Sequence, residues 1–399
     1  MNPTTSTRSY YPALDGLRGV AIILVICCHN LNFLPYFGLG WVGVDLFFVL
    51  SGFLITDILL RTRESRNFLQ NFFIRRILRI FPLYYGVLLV FFLVTPMLQN
   101  LVTQFNYYNS DQPMSWLQIQ NWLYITHPKP NDLLLLNHLW SLSVVDQFYL
   151  LWPFVVFVVL NTKHLEQIIY LVLVTCILSR LTSWMIFGDD YTSFYFQSLT
   201  RLDGLCIGSL IALWRFNSFE QTKKKVMRLG LIVLSIHLLL IIMAKTYFPA
   251  FPHFRFIGYT SIAAIFGIVV FRVLEKTNIY SRFLLENSFM RYTGKISYGL
   301  YVYHWPILVL FKIYLLKRLI SYGYNYNAAY MAVSLVALAT TFLVSSVSYR
   351  FFEKPITSLK FAMTSDGFFE RLWHRFVSKF QPPTAMEQKE TSGANDEKF

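Results

Sequence analysis

Ten separate apolar runs, near residues 17–34, 42–60, 80–99, 139–160, 166–187, 197–215, 228–244, 257–274, 296–316 and 328–349, decide what this chain can become. Each is long enough to cross a ~30 Å hydrocarbon core. In lipid every backbone N–H and C=O must be satisfied within the spanning structure, so unbroken runs of this length read as helices. The expected fold is therefore all-α, a polytopic integral membrane protein with about ten transmembrane helices. With 55% hydrophobic and 14% charged residues, the chain has too little polar surface to cover a soluble globule. The first run follows Arg8 and Arg18, but no small-residue cleavage site comes after Cys28-His29-Asn30, so it reads as a retained helix rather than a leader.

Lys and Arg set the orientation. Arg61, Arg63, Arg66, Arg75 and Arg76 fall between the second and third runs, and Arg215, Lys223, Lys224, Lys225 and Arg228 between the sixth and seventh. Loops rich in such residues stay in the cytoplasm, which places both termini there. The net charge of +14 is absorbed by these loops, and no nucleic-acid partner is expected. Lys312, Lys317 and Arg318 break the rule, since they fall on the predicted outer side. The longest outer connection, about 100–138, is rich in Asn, Gln, Trp and Tyr and suits either a cap over a polar site or a passive loop. The transmembrane domain is expected over 1–356. The remainder, 357–399, reads as a cytoplasmic tail, with an amphipathic helix lying on the membrane at about 367–380 and a polar end without periodicity.

Ionisable groups inside spans are costly and usually mark function. His29 lies eleven residues after Arg18. Eleven steps of about 100° bring it back to the same helix face, about 16 Å further along the axis. Asp45 enters the second span at a matching depth, where its carboxylate could hold the His29 imidazole in one tautomer for general-base work. A structural histidine bonded to a neighbouring helix is the alternative. Arg76 and Arg79 share a face at the cytoplasmic start of the third span, and their forked donors suit phosphate, although lipid anchoring would use the same residues. On the outer side Asp146 shares a face with Tyr149, Arg201 and Asp203 open the sixth span, and Tyr301 and His304 lie three residues apart. Arg201 and Asp203 serve equally well as interhelical glue. Ser51-Gly52 looks like a nucleophile beside glycine, but small residues at helix contacts are commoner. Cys27, Cys28, Cys176 and Cys206 all lie in apolar runs, so no disulfide framework is expected, and Cys27-Cys28-His29 cannot converge on one metal ion from successive helix positions.

Several strings resemble the acyltransferase-3 family of bacterial membrane O-acylases. They are Leu14-Asp15-Gly16-Leu17-Arg18-Gly19 with its ten-residue gap to His29, Phe48-Val49-Leu50-Ser51-Gly52-Phe53-Leu54-Ile55, Arg75-Arg76-Ile77-Leu78-Arg79-Ile80-Phe81-Pro82, Trp140-Ser141-Leu142, Arg201-Leu202-Asp203, Ser297-Tyr298-Gly299-Leu300-Tyr301-Val302-Tyr303-His304-Trp305-Pro306 and Phe351-Phe352-Glu353-Lys354-Pro355. The resemblance implies an O-acyltransferase with acyl-coenzyme A, most simply acetyl-coenzyme A, as cytoplasmic donor and an extracytoplasmic carbohydrate hydroxyl as acceptor, without a metal. Carried onto this chain, it implies that His29 is catalytic and that Arg76 and Arg79 bind coenzyme A phosphates. The buried polar residues complete the expected site: Asp45 and Asp146 as further catalytic groups, Arg18 with the coenzyme A arginines, and Trp140, Arg201, Asp203, Tyr301 and His304 towards the acceptor. Asp146 departs from the family, which usually has Glu there. No esterase-like extracytoplasmic domain is read in this chain, so separate glycan-processing proteins are expected as partners alongside the bilayer. The rival reading is a transporter of a polar metabolite, in which the same buried charges line a path and no covalent product forms.

Overall fold

The computed structural model describes residues 11–65, 67–126, 134–188, 190, 192–244, 257–275 and 283–363, and the surface helix expected at 367–380 lies outside them. The apolar runs become helices, two of them within one long α6, and a short polar helix, α8, is added: α1 (Pro12–Asn30), α2 (Gly43–Thr62), α3 (Phe68–Val94), α4 (Trp140–Val158), α5 (Thr162–Phe187), α6 (Asp203–Ala244), α7 (Gly258–Leu274), α8 (Ser288–Lys295), α9 (Ser297–Phe311) and α10 (Tyr326–Ser348). Pro12 opens α1, where its missing N–H has no intrahelical partner to lose. Pro82, Pro153 and Pro306 lie inside α3, α4 and α9, as spanning helices tolerate when neighbours re-satisfy the freed carbonyls.

Among the described residues, seven helical segments are long and apolar enough to cross a bilayer, and the protein is a polytopic all-helical membrane protein. The expectation of ten also counted two pieces of α6 and the shorter α7. Ser218 interrupts α6 with an extended backbone (φ −170°, ψ 97°), which divides it where the sequence changes from apolar to basic. α9 and α10 each continue into one π-helical turn, Lys312–Leu316 and Tyr349–Glu353.

Glycine lets backbones approach at the centre of the bundle. A Cβ on Gly52 would lie 1.9 Å from the Leu205 carbonyl oxygen, and one on Gly208 2.0 Å from that of Val49, so α2 and α6 meet backbone to backbone. Gly52 is thus a packing residue, and Ser51 beside it faces a cavity. Gly294 of α8 does the same against the Asp15 carbonyl of α1.

The segment between α3 and α4 folds into short helices, Val102–Asn109, Gln112–Trp116 and Gln120–Thr126, and its described parts are bonded into the bundle. Tyr84 donates to the Ser115 carbonyl at 2.7 Å, and Trp305 Nε1 to that of Leu134 at 2.6 Å. At this end, opposite the arginines of α3, α1 and α10 are joined: Asn30 Nδ2 donates to the Ser334 carbonyl at 3.2 Å, and Ser334 Oγ returns a bond to the Asn30 carbonyl at 2.6 Å. The turn between α9 and α10 lies here too, so Lys312, Lys317 and Arg318 remain on the side away from the main basic loops.

Candidate active site

Three side-chain groups emerge, and they divide the sequence candidates differently from the expected roles. The first is a cavity of about 100 Å³ lined by Arg18 of α1, Ser51 of α2, Arg76 and Arg79 of α3, Ser141, Asp146 and Tyr149 of α4, and Tyr298 and Tyr301 of α9. Arg76 and Arg79 are three residues apart on one helix, which points both guanidiniums the same way. The Arg76 guanidinium carbon sits 4.9 Å over the Tyr149 ring. Asp146 holds one buried carboxylate oxygen without a hydrogen-bond partner among the described residues. A second pocket, of about 220 Å³, shares Arg76 and Arg79 and adds Asn71, Arg75, Thr357 and Lys360. Two cavities therefore meet at one pair of arginines, an arrangement that fits a long anionic ligand with a polyphosphate and a thin arm. Lys360 escaped the sequence reading because nothing in the tail's pattern ties it to α3.

The second group is a scaffold. Asp45 does not orient His29; Arg201 Nη2 donates to its Oδ1 at 2.9 Å, with both side chains fully shut off from solvent. A buried carboxylate needs a full positive partner, and a guanidinium that cannot lose its proton competes better than a neutral imidazole. Asp203 is held by Arg180, which was overlooked in the middle of an apolar helix, and by Thr260 Oγ1 at 2.8 Å. Tyr259 covers Arg201 with its ring centre 4.0 Å from the guanidinium carbon, and Trp140 packs on Tyr195 at 4.9 Å between ring centres. Asp45, Trp140, Arg201 and Asp203 line neither cavity. In this structure each of them is held by the ion pairs and ring contacts above, away from the arginine cavity.

The third group is histidine. His29 Nδ1 lies 2.9 Å from His304 Nε2, the two rings are within 7° of parallel and meet edge to edge with centres 5.1 Å apart, and Trp305 closes on His29 at 4.7 Å between centres. His304 therefore stands directly beside His29. Behind them is His138, whose ring centre is 5.3 Å from that of His304. Its place follows from Pro306, which has no N–H to give the carbonyl of Val302, four residues earlier. His138 Nε2 supplies the missing bond at 3.1 Å. Tyr301 donates from its hydroxyl to the His138 carbonyl at 2.8 Å and meets Ser141 Oγ at 2.5 Å. The Tyr301 ring, in the wall of the arginine cavity, is 5.5 Å from that of His304. The cavity thus stops one ring short of the histidine pair. His304 and His138 are buried, whereas His29 keeps part of its surface open.

The acyltransferase-3 profile, described as an acyltransferase domain, matches residues 11–350. The peptidoglycan O-acetyltransferase OatA of Listeria monocytogenes is 30% identical over 401 residues, covering 95% of this chain and 60% of that protein. The O-acetyltransferase OatA of Staphylococcus aureus is 29% identical over 87% of this chain and 57% of its own length. A putative peptidoglycan O-acetyltransferase, YrhL of Bacillus subtilis, is 29% identical over 90% and 56%. The chain thus spans about three fifths of the curated relatives it matches. No solved structure matches it. Since the profile runs from the first turn of α1 to the end of α10, over the arginine cavity and the histidines alike, the chain belongs to the acyltransferase-3 family of membrane proteins.

Proposed function

We propose that this chain is a membrane O-acyltransferase that moves an acetyl group from acetyl-coenzyme A at the cytoplasmic face to a hydroxyl of an extracytoplasmic cell-wall carbohydrate. The observation that carries the reading is the pair of cavities that meet at Arg76 and Arg79 and end at Tyr301, one ring below the His29–His304 pair. The names of the relatives support a peptidoglycan acceptor. The basic loop before α3 supports a cytoplasmic donor side.

Acetyl-coenzyme A would supply an acyl group already activated as a thioester. Arg75, Arg76, Arg79 and Lys360 would hold its phosphates through charge-assisted hydrogen bonds, and Arg18 would add a fourth guanidinium on the inner side. The unbonded oxygen of Asp146 would accept an amide N–H of the ligand's arm. Tyr301 would have to turn aside for the acyl group to meet the acceptor at His29. His29 would take the hydroxyl proton as the C–O bond forms, then return it to the departing thiolate, so the products are an ester and a thiol.

The test supplies membranes holding the full chain with acetyl-labelled acetyl-coenzyme A and chitopentaose as a surrogate acceptor. Label should appear on the sugar as a base-labile ester. His29→Ala should lower the rate about 10²-fold or more while acetyl-coenzyme A still binds. A His29→Ala protein that transfers at the wild-type rate overturns the proposal.

A further inference from the structure

His304 Nδ1 faces two backbone carbonyls, at 2.6 Å from Tyr301 O and 3.2 Å from Leu300 O. A carbonyl only accepts, so Nδ1 carries the proton. In a neutral ring Nε2 is then a bare lone pair, and it lies 2.9 Å from His29 Nδ1. For that contact to be a hydrogen bond, His29 Nδ1 must donate, which leaves the lone pair of His29 on Nε2. That atom makes no hydrogen bond among the described residues, and the ring it belongs to is the one of the three histidines not fully buried.

We propose that His304 is the positioning residue of this enzyme: it fixes His29 as the Nδ1–H tautomer, with Nε2 free to accept a proton, in the role a carboxylate plays in other histidine bases. The inference rests on His29 being the base, as proposed above. It also adds a step. As His29 Nε2 takes the acceptor's hydroxyl proton, the Nδ1 proton shifts to His304 Nε2. The charge then sits on His304, whose Nδ1–H points at two carbonyl oxygens that favour the cation. When the thiolate leaves, both protons move back and the pair is neutral again. No proton is gained or lost over the cycle.

Three features of the sequence build this arrangement. Leu300, Tyr301 and His304 lie on adjacent turns of α9, so the ring folds back on carbonyls of its own helix. Pro306 leaves the Val302 carbonyl for His138, which wedges that turn in place. Trp305 closes the other side of His29. The other groups facing the pair are Lys312, which acts electrostatically on His29, and His138.

The test uses the full chain in nanodiscs with ¹⁵N-labelled histidine, and His29→Gln to assign the signal. At neutral pH the wild-type His29 should show the Nδ1–H tautomer, and His304→Leu should convert it largely to Nε2–H. In the acetyl-coenzyme A and chitopentaose assay, His304→Leu should lower kcat about 10²-fold and His304→Gln, which keeps an acceptor oxygen, about 10-fold. KM for acetyl-coenzyme A should stay within about 2-fold in both, because the arginine cavity is untouched. A wild-type His29 that is Nε2–H overturns the proposal, and that result needs no variant to fold. Equal losses in the Leu and Gln variants, with unchanged pH profiles, also overturn it. If instead the tautomer is as expected but His29→Ala retains full transfer, the positioning stands and the reading of His29 as base is what fails.

Discussion

Arg201 and Asp45 are sealed from solvent together, with Arg201 Nε and Nη1 unbonded among the described residues and Tyr259 covering the guanidinium at 4.0 Å. The ring face offsets part of what water would have supplied. Such a pair is costly to assemble but costlier to break, because a lone buried charge has nowhere to go. Arg201→Leu should destabilise the protein by about 3–5 kcal/mol, whereas Asp45→Leu combined with Arg201→Leu should recover most of that loss. Thermal unfolding in detergent reads the difference, and an Arg201→Leu protein as stable as wild type would sink the scaffold assignment. The same residues mark the limit of what sequence could say. A charge inside an apolar run announces that it needs a partner but not which one. Asp45 matched His29 in depth and was read as its partner, yet depth is only one of three coordinates. Arg180 stood alone in its helix and drew no attention. His29 and the arginine pair stood out in sequence because their signals are local: an eleven-residue face repeat, and two forks one turn apart.

Among elements, helix existence followed from length and apolarity alone, and the expected spans fall within a few residues of most observed helices. What one-dimensional pattern hides is which face meets which neighbour. Gly52, Gly86 and Gly208 look alike in sequence, but a Cβ on Gly208 would sit 2.0 Å from the Val49 carbonyl, while around Gly86 nothing lies within 4 Å. Gly208→Ala must push α6 off α2, at an expected cost of about 1–3 kcal/mol. Gly86→Ala should be neutral or stabilising by up to ~1 kcal/mol, since alanine suits a helix interior better. A thermal-shift comparison of the two variants checks the α2–α6 contact, and equal stability would refute it. The π-turns after α9 and α10 were also invisible, as no residue type announces a single extra register shift.

At the scale of the whole molecule, the proposed chemistry requires that the two ends of the bundle face different aqueous phases. The arginines of α3 and the loop around Ser65 belong to one end. The turn at Tyr322–Asn325 belongs to the other, because Tyr330 bonds Asn32 at 3.2 Å beside the terminus of α1. Counting charges alone makes that turn ambiguous, since Lys312, Lys317 and Arg318 crowd it. Lys312 is partly spoken for, however: its ammonium sits 4.8 Å over the Tyr330 ring, inside the protein rather than at a lipid headgroup. The loop before α3 should then outweigh it and stay cytoplasmic. In a background lacking Cys27 and Cys28, the two native cysteines that are partly exposed, Ser65→Cys should react with a membrane-impermeant maleimide only after the cells are opened. Tyr324→Cys, at a site 60% exposed, should react in intact cells from which any outer membrane has been stripped. Should both sites label from the same side, the hairpin of α9 and α10 does not cross, His29 loses its outer access, and a thioester and an alcohol arriving from opposite faces could not meet there.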